Sequence, residues 1–279
     1  MTIASSPPRV SVIVTAYNSG GYIRRTLDSL LTQTLSNFEI VVVDDGSTDG
    51  TSEVLDGYAR RDSRIRVVHQ QNAGTSTASN RAITEARAEY LAILDHDDMA
   101  APDRLEKQVA YLDSHSRVGV LGGAMIAIDH RDRKLNLYRF PTEPAQVRSW
   151  LFRAPTINHS STMMRRQLVE KVGGYRKAFD IIPDVDLFLR ISDHAELATL
   201  ADVLVYYRVH PERVTARHHA RQLVLNKVAI ELARSRVRGK KDNMPNDIHI
   251  DASTLDRLGL DADQVERLRP LFQAGEATE

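Results

Sequence analysis

The sequence contains no cysteine and only one tryptophan in its 279 residues. The absence of cysteine excludes disulfides, thiolate catalysis and cysteine-based zinc sites, and it is compatible with a reducing compartment. The first ten residues lack the basic region and apolar core of a signal peptide, and no apolar run reaches the roughly 20 residues that span a bilayer. We therefore expect a cytoplasmic protein.

The chain also lacks net charge, because its 37 basic and 37 acidic residues cancel, and this gives no reason to expect a nucleic-acid partner. The charges separate near the C-terminus, where residues 213–241 hold nine Lys or Arg and one Glu, and residues 242–279 hold nine acids and three bases. We interpret 213–279 as a helical extension, basic and then acidic, which packs on the main domain and exposes its basic face to solvent. The alternative is a peripheral contact of 213–241 with the inner face of the membrane.

Apolar runs alternate with segments of helical spacing along the first part of the chain. Strands are expected at 10–16, 38–43, 65–68 and from Tyr90, with helices at 22–35, from about Thr51 and at 75–86. Such alternation indicates crossover connections and a parallel sheet, hence an α/β fold of nucleotide-binding style. The length fits one large α/β domain plus an appendage.

An apolar run ends on three carboxylates within four residues in the segment YLAILDHDD, residues 90–98. Acids placed directly after a strand collect at the carboxyl edge of the sheet, where open α/β sheets bind ligands. Carboxylates this close repel one another unless a divalent ion or a proton intervenes, and Mg²⁺ typically combines one or two carboxylates with phosphate oxygens. The segment therefore predicts a metal-bound phosphate ester; the alternative is an acidic turn before the helix that starts near Pro102.

Polar loops follow the first two predicted strands. Thr15, Ala16, Tyr17 and Asn18 come after the first strand, and DDGSTD, residues 44–49, comes after the second. The glycine permits a tight turn and the residues after it can cap the next helix, which leaves Asp45 as an acceptor for a base donor such as the imide of uracil. The alternative is that both aspartates only shape the turn.

The order of these motifs resembles glycosyltransferase family 2, the inverting nucleotide-sugar transferases with a GT-A-type fold. The resemblance covers residues from about 9 to 215. The matching stretches are VSVIVTAYNSGGYIRRTLDSLLTQT, FEIVVVDDGSTDGT, NAGTSTASN, AEYLAILDHDD, APDRLEKQ, INHSSTMMRRQLVEKVGGY, PDVDLFLRIS and YRVHPERVT.

The resemblance implies a Rossmann-like GT-A-type single domain at 9–212 with a mixed, mainly parallel central sheet. A flexible N-terminus, 1–8, would precede a donor half, 9–98, and an acceptor half, 99–212. The residues implied to bind the nucleotide sugar are Thr15, Ala16, Tyr17, Asn18, Asp45, Asn80, Asp95 and His96.

The resemblance also implies a divalent metal, Mn²⁺ or Mg²⁺, on the donor diphosphate. Asp97 would be its ligand, and His210 of the YRVH element could complete the shell. Asp184, which opens a predicted helix, is implied to be the catalytic base.

Three further residues are candidates for the acceptor side. Trp150 could stack on a sugar ring, with core packing as the alternative. His159 could approach the acceptor or a phosphate, and the alternative is a hydrogen-bonded structural histidine. Asp186 lies in the first turn of the same helix as Asp184, where simple capping is the alternative.

Two positions depart from the family pattern. Ser79 stands before Asn80 where the family often has arginine, and Arg81 follows one step later. Pro183 stands before Asp184 where the family often has glutamate. The first departure weakens a diphosphate-clamping role for a basic residue there, whereas the acid itself is retained at the second.

We therefore expect an inverting, metal-dependent glycosyltransferase of the hexosyltransferase type. Its donor would be a nucleoside-diphosphate sugar, with UDP favoured, and its acceptor a hydroxyl on a saccharide or lipid-linked acceptor in cell-surface polysaccharide or glycolipid synthesis. A nucleotide-sugar-binding module without turnover is the first alternative. A Mg²⁺-dependent phosphoacceptor signalling domain ranks far behind, because its acidic pair should follow the first strand, where this chain has Thr15 to Asn18.

Overall fold

The computed structural model describes residues 7–154, 157–210, 218–242, 244–245 and 247–276. Most of the predicted N-terminus and the start of the C-terminal extension, 213–217, lie outside these ranges. Within them, no helix combines the length and the apolar character needed to cross a bilayer.

The strands of the described chain form one nine-stranded sheet. They are β1 (Val10–Ala16), β2 (Phe38–Asp44), β3 (Ile65–His69), β4 (Tyr90–Ile93), β5 (Met99–Ala100), β6 (Val118–Ile128), β7 (Lys134–Tyr138), β8 (Met163–Arg165) and β9 (Glu196–Arg208).

Helices connect and cover these strands. They are α1 (Ile23–Leu31), α2 (Thr51–Arg61), α3 (Thr75–Glu85), α4 (Arg104–Ser114), α5 (Pro144–Leu151), α6 (Arg166–Lys171), α7 (Pro183–Ile191), α8 (His219–Val237) and α9 (Ala262–Glu276). Short 3₁₀ turns lie at His159–Ser161, Lys177–Phe179 and Leu255–Arg257.

The sheet order is β3-β2-β1-β4-β8-β6-β9-β5, and β7 pairs with β6 at the side. The first four strands of this order are mutually parallel, as are β6 and β9, whereas β8 runs antiparallel to both of its neighbours. The predicted mixed, mainly parallel sheet is confirmed. Because the parallel strands point the same way, the loops after β1, β2 and β4 meet at one edge of the sheet.

Side chains of the central strands alternate between two apolar cores. Ile13 and Val41 belong to one core, and Val12, Val14 and Val42 belong to the other. All five are essentially inaccessible to solvent. A parallel sheet covered on both faces requires this continuous run of β-branched residues, which is why the strands were recognisable in the sequence.

The first helix is shorter than predicted, because it ends at Leu31 instead of continuing to Leu35. Gln33 leaves the helix and donates from Nε2 to the carbonyl of Ala101 at 2.7 Å, while its Oε1 accepts from the backbone of Leu105 at 3.1 Å. Tertiary hydrogen bonds therefore override the helical spacing of the last four residues.

The C-terminal extension packs on the main domain, since α8 shares the apolar core that also contains α7. Most bases of α8 and the following loop lie at the surface, namely Lys227, Arg234, Arg238, Lys240 and Lys241. Arg236 contacts Asp193 at 2.6 Å and Asp242 at 2.9 Å, and Arg238 and Lys240 both contact Asp261. The basic part of the extension thus packs on the main domain and keeps most of its bases at the surface, where several of them pair with acids.

Asp186 is also placed differently from the sequence expectation. Its carboxylate is 2% exposed and accepts from Arg176 at 3.2 Å and from Arg190 at 2.8 Å, both of which are buried. Arg176 continues the network with two hydrogen bonds to Asp242, at 3.0 and 2.7 Å. Asp186 is therefore a buried structural ion-pair residue, and its suggested role on the acceptor side is wrong.

We expect Asp186→Ala to lower the free energy of unfolding by about 3–5 kcal/mol, because it leaves two buried guanidinium groups without their shared carboxylate. Urea denaturation followed by circular dichroism measures this. The matched control is Asp256→Ala, which breaks a solvent-exposed pair with Arg269 and should cost less than about 1 kcal/mol. Equal losses for the two variants would contradict the structural role of Asp186.

Candidate active site

Three loops converge at the carboxyl edge of the sheet. In the register of the strands, Ala16 lies beside Asp44, and Ile13 lies beside Ile93. The polar residues that follow β1, β2 and β4 therefore meet in one region, as the alternating pattern predicted.

Asp95 is the first carboxylate of the acidic segment and contacts the 3₁₀ turn at His159–Ser161. Its Oδ1 lies 3.1 Å from Nδ1 of His159, and its backbone N–H donates to the hydroxyl of Ser160 at 3.1 Å. Partial burial opposes ionisation, but the charge and hydrogen bond of His159 prevail and lower the pKa of Asp95 to about 2. Both ring nitrogens of His159 make contacts within the chain, and the suggested approach of His159 to the acceptor or a phosphate stays a prediction.

Asp97 and His210 are brought together from positions 113 residues apart in the chain. Oδ2 of Asp97 lies 2.8 Å from Nε2 of His210, and both side chains are largely buried. A carboxylate oxygen and an imidazole nitrogen that face each other can both coordinate Mn²⁺, and they can also coordinate Mg²⁺. No group of three or more His, Asp or Glu side chains in the described ranges is arranged to hold an ion, so a metal here would need further ligands from its substrate.

Asp98 completes the acidic segment but points into the protein. It is fully buried, and its Oδ1 accepts from the backbone N–H of Arg208 at 2.7 Å. Burial, together with the charges of Asp97 and Asp95, raises the pKa of Asp98 well above its ordinary value. Protonation of Asp98 reduces the electrostatic repulsion among the three neighbouring carboxylates.

Two fully buried arginines surround this segment. Arg104 donates to the carbonyls of Ile93 and Thr162 at 2.7 and 3.0 Å, and Arg208 donates to the carbonyl of Asp97 at 2.8 Å. Burial lowers the pKa of Arg104 to about 9 even though Asp98 and Asp95 act in the opposite direction. The sequence analysis missed Asp98, Arg104 and Arg208 as site residues; Arg208, which lies in the quoted YRVH element, was the one with a visible signal.

Asp184 opens α7 directly after Pro183, as predicted. Its half-buried carboxyl lies near the Asp95 and His159 pair. Burial raises the pKa of Asp184, and the charge of Asp95 acts in the same direction, while the charge of His159 opposes them. A carboxylate with a raised pKa is a better proton acceptor than an exposed one.

The loops after β1 and β2 contact each other, and the loop after β4 reaches the first of them. The backbone N–H of Asn18 donates to Oγ of Ser47 at 3.0 Å, and its Oδ1 accepts from the backbone of Thr48 at 2.8 Å. Nδ1 of His96 lies 3.2 Å from the carbonyl of Thr15. Tyr17 is 49% exposed and available to a ligand.

Asp45 is buried beside this loop and already accepts three hydrogen bonds, from Gln70 Nε2 and from the backbone N–H groups of Ala73 and Gly74, at 2.7–3.0 Å. It therefore fixes the loop after β3. Its contact with a nucleobase stays a prediction.

Asn80 has a structural role in this structure. Its amide donates to the carbonyl of Tyr175 at 2.8 Å and accepts from the N–H of Tyr175 at 2.8 Å. Both ends of the amide are used within the chain, and a contact of Asn80 with the nucleotide sugar stays a prediction. Ser79 is buried, and Arg81 pairs with Glu85 on the surface of α3.

Trp150 lies on α5 with 52% of its surface exposed. Core packing, the favoured alternative for this residue, is therefore wrong. Its stacking on an acceptor sugar stays a prediction.

The model of the family described as "Glycosyl transferase family 2" matches residues 11–173. The chain belongs to glycosyl transferase family 2. EpsE of Bacillus subtilis (strain 168), whose glycosyltransferase name is provisional, is 32% identical over 194 residues, which is 68% of this chain and 68% of EpsE. The chain spans about two thirds or less of the length of the curated relatives that it matches first.

Solved structures confirm the GT-A-type fold of this family member. TarS 1–349 of S. aureus in complex with UDP-GlcNAc superposes with a TM-score of 0.68 at 20% identity, over 96% of this chain and 87% of that one. The mannosyltransferase PcManGT of Pyrobaculum calidifontis, in complex with GDP-Man and Mn²⁺, gives a TM-score of 0.63 at 22% identity, over 98% and 75% of the two chains.

We expect UDP or GDP to stabilise the protein much more with Mn²⁺ than without it, and Asp97→Ala to remove this difference, because it deletes the carboxylate of the Asp97–His210 pair. A ligand at ~100 times its dissociation constant adds about 2.7 kcal/mol to the free energy of unfolding, which a thermal-shift panel resolves. Asp103→Asn is the matched control, since Asp103 lies five residues after Asp98 and pairs with Lys107. Equal stabilisation of the parent protein by the nucleotide with and without Mn²⁺ would contradict the assignment of Asp97 as a metal ligand.

Proposed function

We propose that this protein is an inverting glycosyltransferase that moves a sugar from a nucleoside-diphosphate sugar to an acceptor hydroxyl. The observation that carries the proposal is the grouping of Asp95, Asp97 and Asp184 around one edge of the sheet. In this group, a half-buried acid with a raised pKa accompanies a paired carboxylate and imidazole. Displacement of a diphosphate requires a group that accepts a proton and a separate position that binds charge. Asp184 is the first of these in the proposal, and the Asp97–His210 pair is the second.

The donor is proposed to lie across the loops after β1, β2 and β4, with Tyr17, Asn18 and Asp95 within reach of it. The exposure of Tyr17 and the fixed backbone of Asn18 support this placement. The complexes named for TarS and PcManGT hold UDP-GlcNAc and GDP-Man, so members of this fold accept more than one nucleobase. UDP is the donor nucleotide that we propose first. Asp45 lies in the loop after β2, and its carboxylate is an acceptor for the imide N–H of uracil.

Asp97 and His210 are proposed to hold a divalent metal together with the donor diphosphate. The metal, when bound, supplies positive charge that neutralises the departing nucleoside diphosphate. The described site offers two protein ligands. This number suits an ion whose remaining ligands are phosphate oxygens and water. The complex named for PcManGT contains Mn²⁺, which supports Mn²⁺ or Mg²⁺ as the choice.

The transfer itself is a single displacement. Asp184 takes the proton of the acceptor hydroxyl, the acceptor oxygen forms its bond to the anomeric carbon, and the bond from that carbon to the diphosphate breaks with its electron pair on the leaving group. Attack from the face opposite the diphosphate inverts the anomeric configuration.

The acceptor is proposed to be a saccharide or lipid-linked hydroxyl in the synthesis of a cell-surface polysaccharide or glycolipid, on the cytoplasmic side of the membrane. A peripheral membrane contact through 213–241 has less support than the composition suggested, because Arg234, Arg236 and Arg238 all pair with acids. Lys227 and Lys241 are exposed and remain available for such a contact.

We expect Asp184→Asn to reduce sugar transfer by about 10² to 10⁴-fold, because the amide keeps the shape of the side chain but cannot accept the proton. Nucleoside-diphosphate affinity should stay within a few-fold of the parent value, since the base does not touch the leaving group. The measurements are the transfer rate, the thermal shift with Mn²⁺ and nucleotide, and the anomer of the product by NMR.

The transfer measurement on the parent protein also distinguishes a glycosyltransferase from a nucleotide-sugar-binding module without turnover. A parent protein that binds the nucleotide sugar but shows no transfer to any of a panel of sugar and lipid-linked acceptors would be a binding module. A retained anomeric configuration, or transfer by Asp184→Asn at the parental rate, would contradict the assignment of the base.

A further inference from the structure

The strand β7 lies at the side of the sheet, where β6 is its partner strand in the part of the chain that the structure describes. All five of its residues are exposed. Leu135, Leu137 and Tyr138 are 53%, 44% and 43% exposed, so this short strand holds three of the nine large apolar side chains that the described ranges expose. Exposed apolar side chains that are grouped in this way, instead of scattered singly, mark an interaction surface.

Basic side chains flank this apolar strand. Arg131, Arg133, Lys134 and Arg139 are all exposed. Arg133 pairs with Asp129 at 2.7 Å, whereas Arg131 and Arg139 have no acidic partner among the residues that the structure describes. Their positive charges are therefore available to a partner outside this part of the chain.

The turn between β6 and β7 is fixed to the candidate site. Oδ1 of Asp132, a residue with φ of +64°, accepts from Arg208 at 2.6 Å and from Arg25 at 3.1 Å. Arg208 also donates from Nη1 to the carbonyl of Asp129 and from Nε to the carbonyl of Asp97, both at 2.8 Å. One fully buried side chain thus joins the turn to the acidic segment, so a surface that holds the hairpin lies beside the candidate site.

The charges of the hairpin decide which occupant fits it. Antiparallel pairing of two copies of β7 about Asn136 would place Arg133 of one copy opposite Arg139 of the other, and like charges in these positions oppose such pairing. Leucines beside a tyrosine and several arginines are instead the side chains that suit a lipid interface. The apolar parts enter the interface, the tyrosine hydroxyl stays at the level of the headgroups, and the bases bind anionic phosphates.

We propose that residues 131–139 of the β6–β7 hairpin dock the protein on a membrane surface rich in anionic lipid. Leu135 and Leu137, which lie two residues apart and so point to the same face of the strand, enter the interface, and Arg131 and Arg139 bind headgroup phosphates. The docking itself goes beyond the proposed function. Its consequence, that a lipid-linked acceptor reaches the candidate site from the membrane, rests on the proposed function.

Vesicle co-sedimentation of the whole chain tests the docking. The parent protein should bind vesicles of roughly equal parts of phosphatidylglycerol and phosphatidylcholine about ten-fold or more tightly than vesicles of phosphatidylcholine alone, because the bases need anionic headgroups. Binding should weaken as the salt concentration rises, since ions screen this attraction. Equal binding to the two kinds of vesicle, or binding to neither, would overturn the proposal.

Two double variants separate the basic and apolar contributions of the hairpin. Arg131→Glu with Arg139→Glu should lower the partition coefficient on anionic vesicles by about ten-fold or more, because it reverses two charges at the lipid surface. Leu135→Asn with Leu137→Asn should lower the coefficient by about ten-fold, because these side chains no longer gain from burial in the interface. Parental binding by both double variants would show that the hairpin does not carry the contact.

The matched control for charge reversal is Arg60→Glu with Arg61→Glu. These exposed arginines end α2, before β3 begins, and so lie at the edge of the sheet opposite the candidate site. This control should bind anionic vesicles within about two-fold of the parent, because attraction to the lipid falls off within a Debye length. Lys227→Glu with Lys241→Glu tests the competing surface at 213–241. Loss of binding in that variant, with parental binding by the hairpin variants, would place the contact on the extension and overturn the proposal.

These results are separable from failure of the proposed function, because vesicle binding requires neither donor nor transfer. Thermal unfolding shows that each variant folds, and stabilisation by UDP with Mn²⁺ should stay at the parental value in the hairpin variants. A parent protein that binds vesicles without transferring sugar would refute the proposed function alone. A parent protein that ignores vesicles but forms a dimer in sedimentation velocity, which Leu135→Asn with Leu137→Asn dissociates, would replace the membrane by a second copy of this chain.

Discussion

The crowding of negative charge after β4 is the constraint on which the rest of the site depends. Asp95, Asp97 and Asp98 follow an apolar strand that is buried on both faces, so the sheet delivers them to one small region. Each acid meets a different partner: His159 for Asp95, His210 for Asp97, and the backbone of Arg208 for Asp98. The carboxylates are thus distinguished by their surroundings although they are neighbours in sequence.

The basic side chains around this acidic segment come from distant parts of the chain. Arg104 belongs to α4, His159 to a 3₁₀ turn and Arg208 to the end of β9, and His210 lies two residues after that strand. Because buried charges are costly without partners, this arrangement ties these later segments of the chain to the end of β4. Hydroxyl and carbonyl groups add to the connection, since Thr26 donates to the carbonyls of both His96 and Asp98 at 2.8 Å. The acidic segment therefore organises the loops around it.

The sequence predicted the sheet well, because strands buried on both faces must be continuously apolar, and the runs at Val10, Phe38 and Tyr90 stand out for this reason. The pairing of Asp97 with His210 was expected from the family resemblance, since nothing local connects residues so far apart. Asp186 could not be separated from Asp184 by inspection: the two acids share one turn, and only the positions of Arg176 and Arg190 show which is structural. The contact between Asn80 and Tyr175 could not be predicted because the two residues lie 95 positions apart in the chain.

The network around Asp186 makes the surroundings of α7 depend on the extension. Arg176 connects α7, which carries Asp184, to Asp242, a residue 66 positions further along the chain. Arg236 binds the same carboxylate from α8. The buried network around α7 is therefore complete only when the chain as far as Asp242 is present. A shorter chain would keep the strand-end acids of the sheet, whereas Arg176 would lose one of its two carboxylate partners.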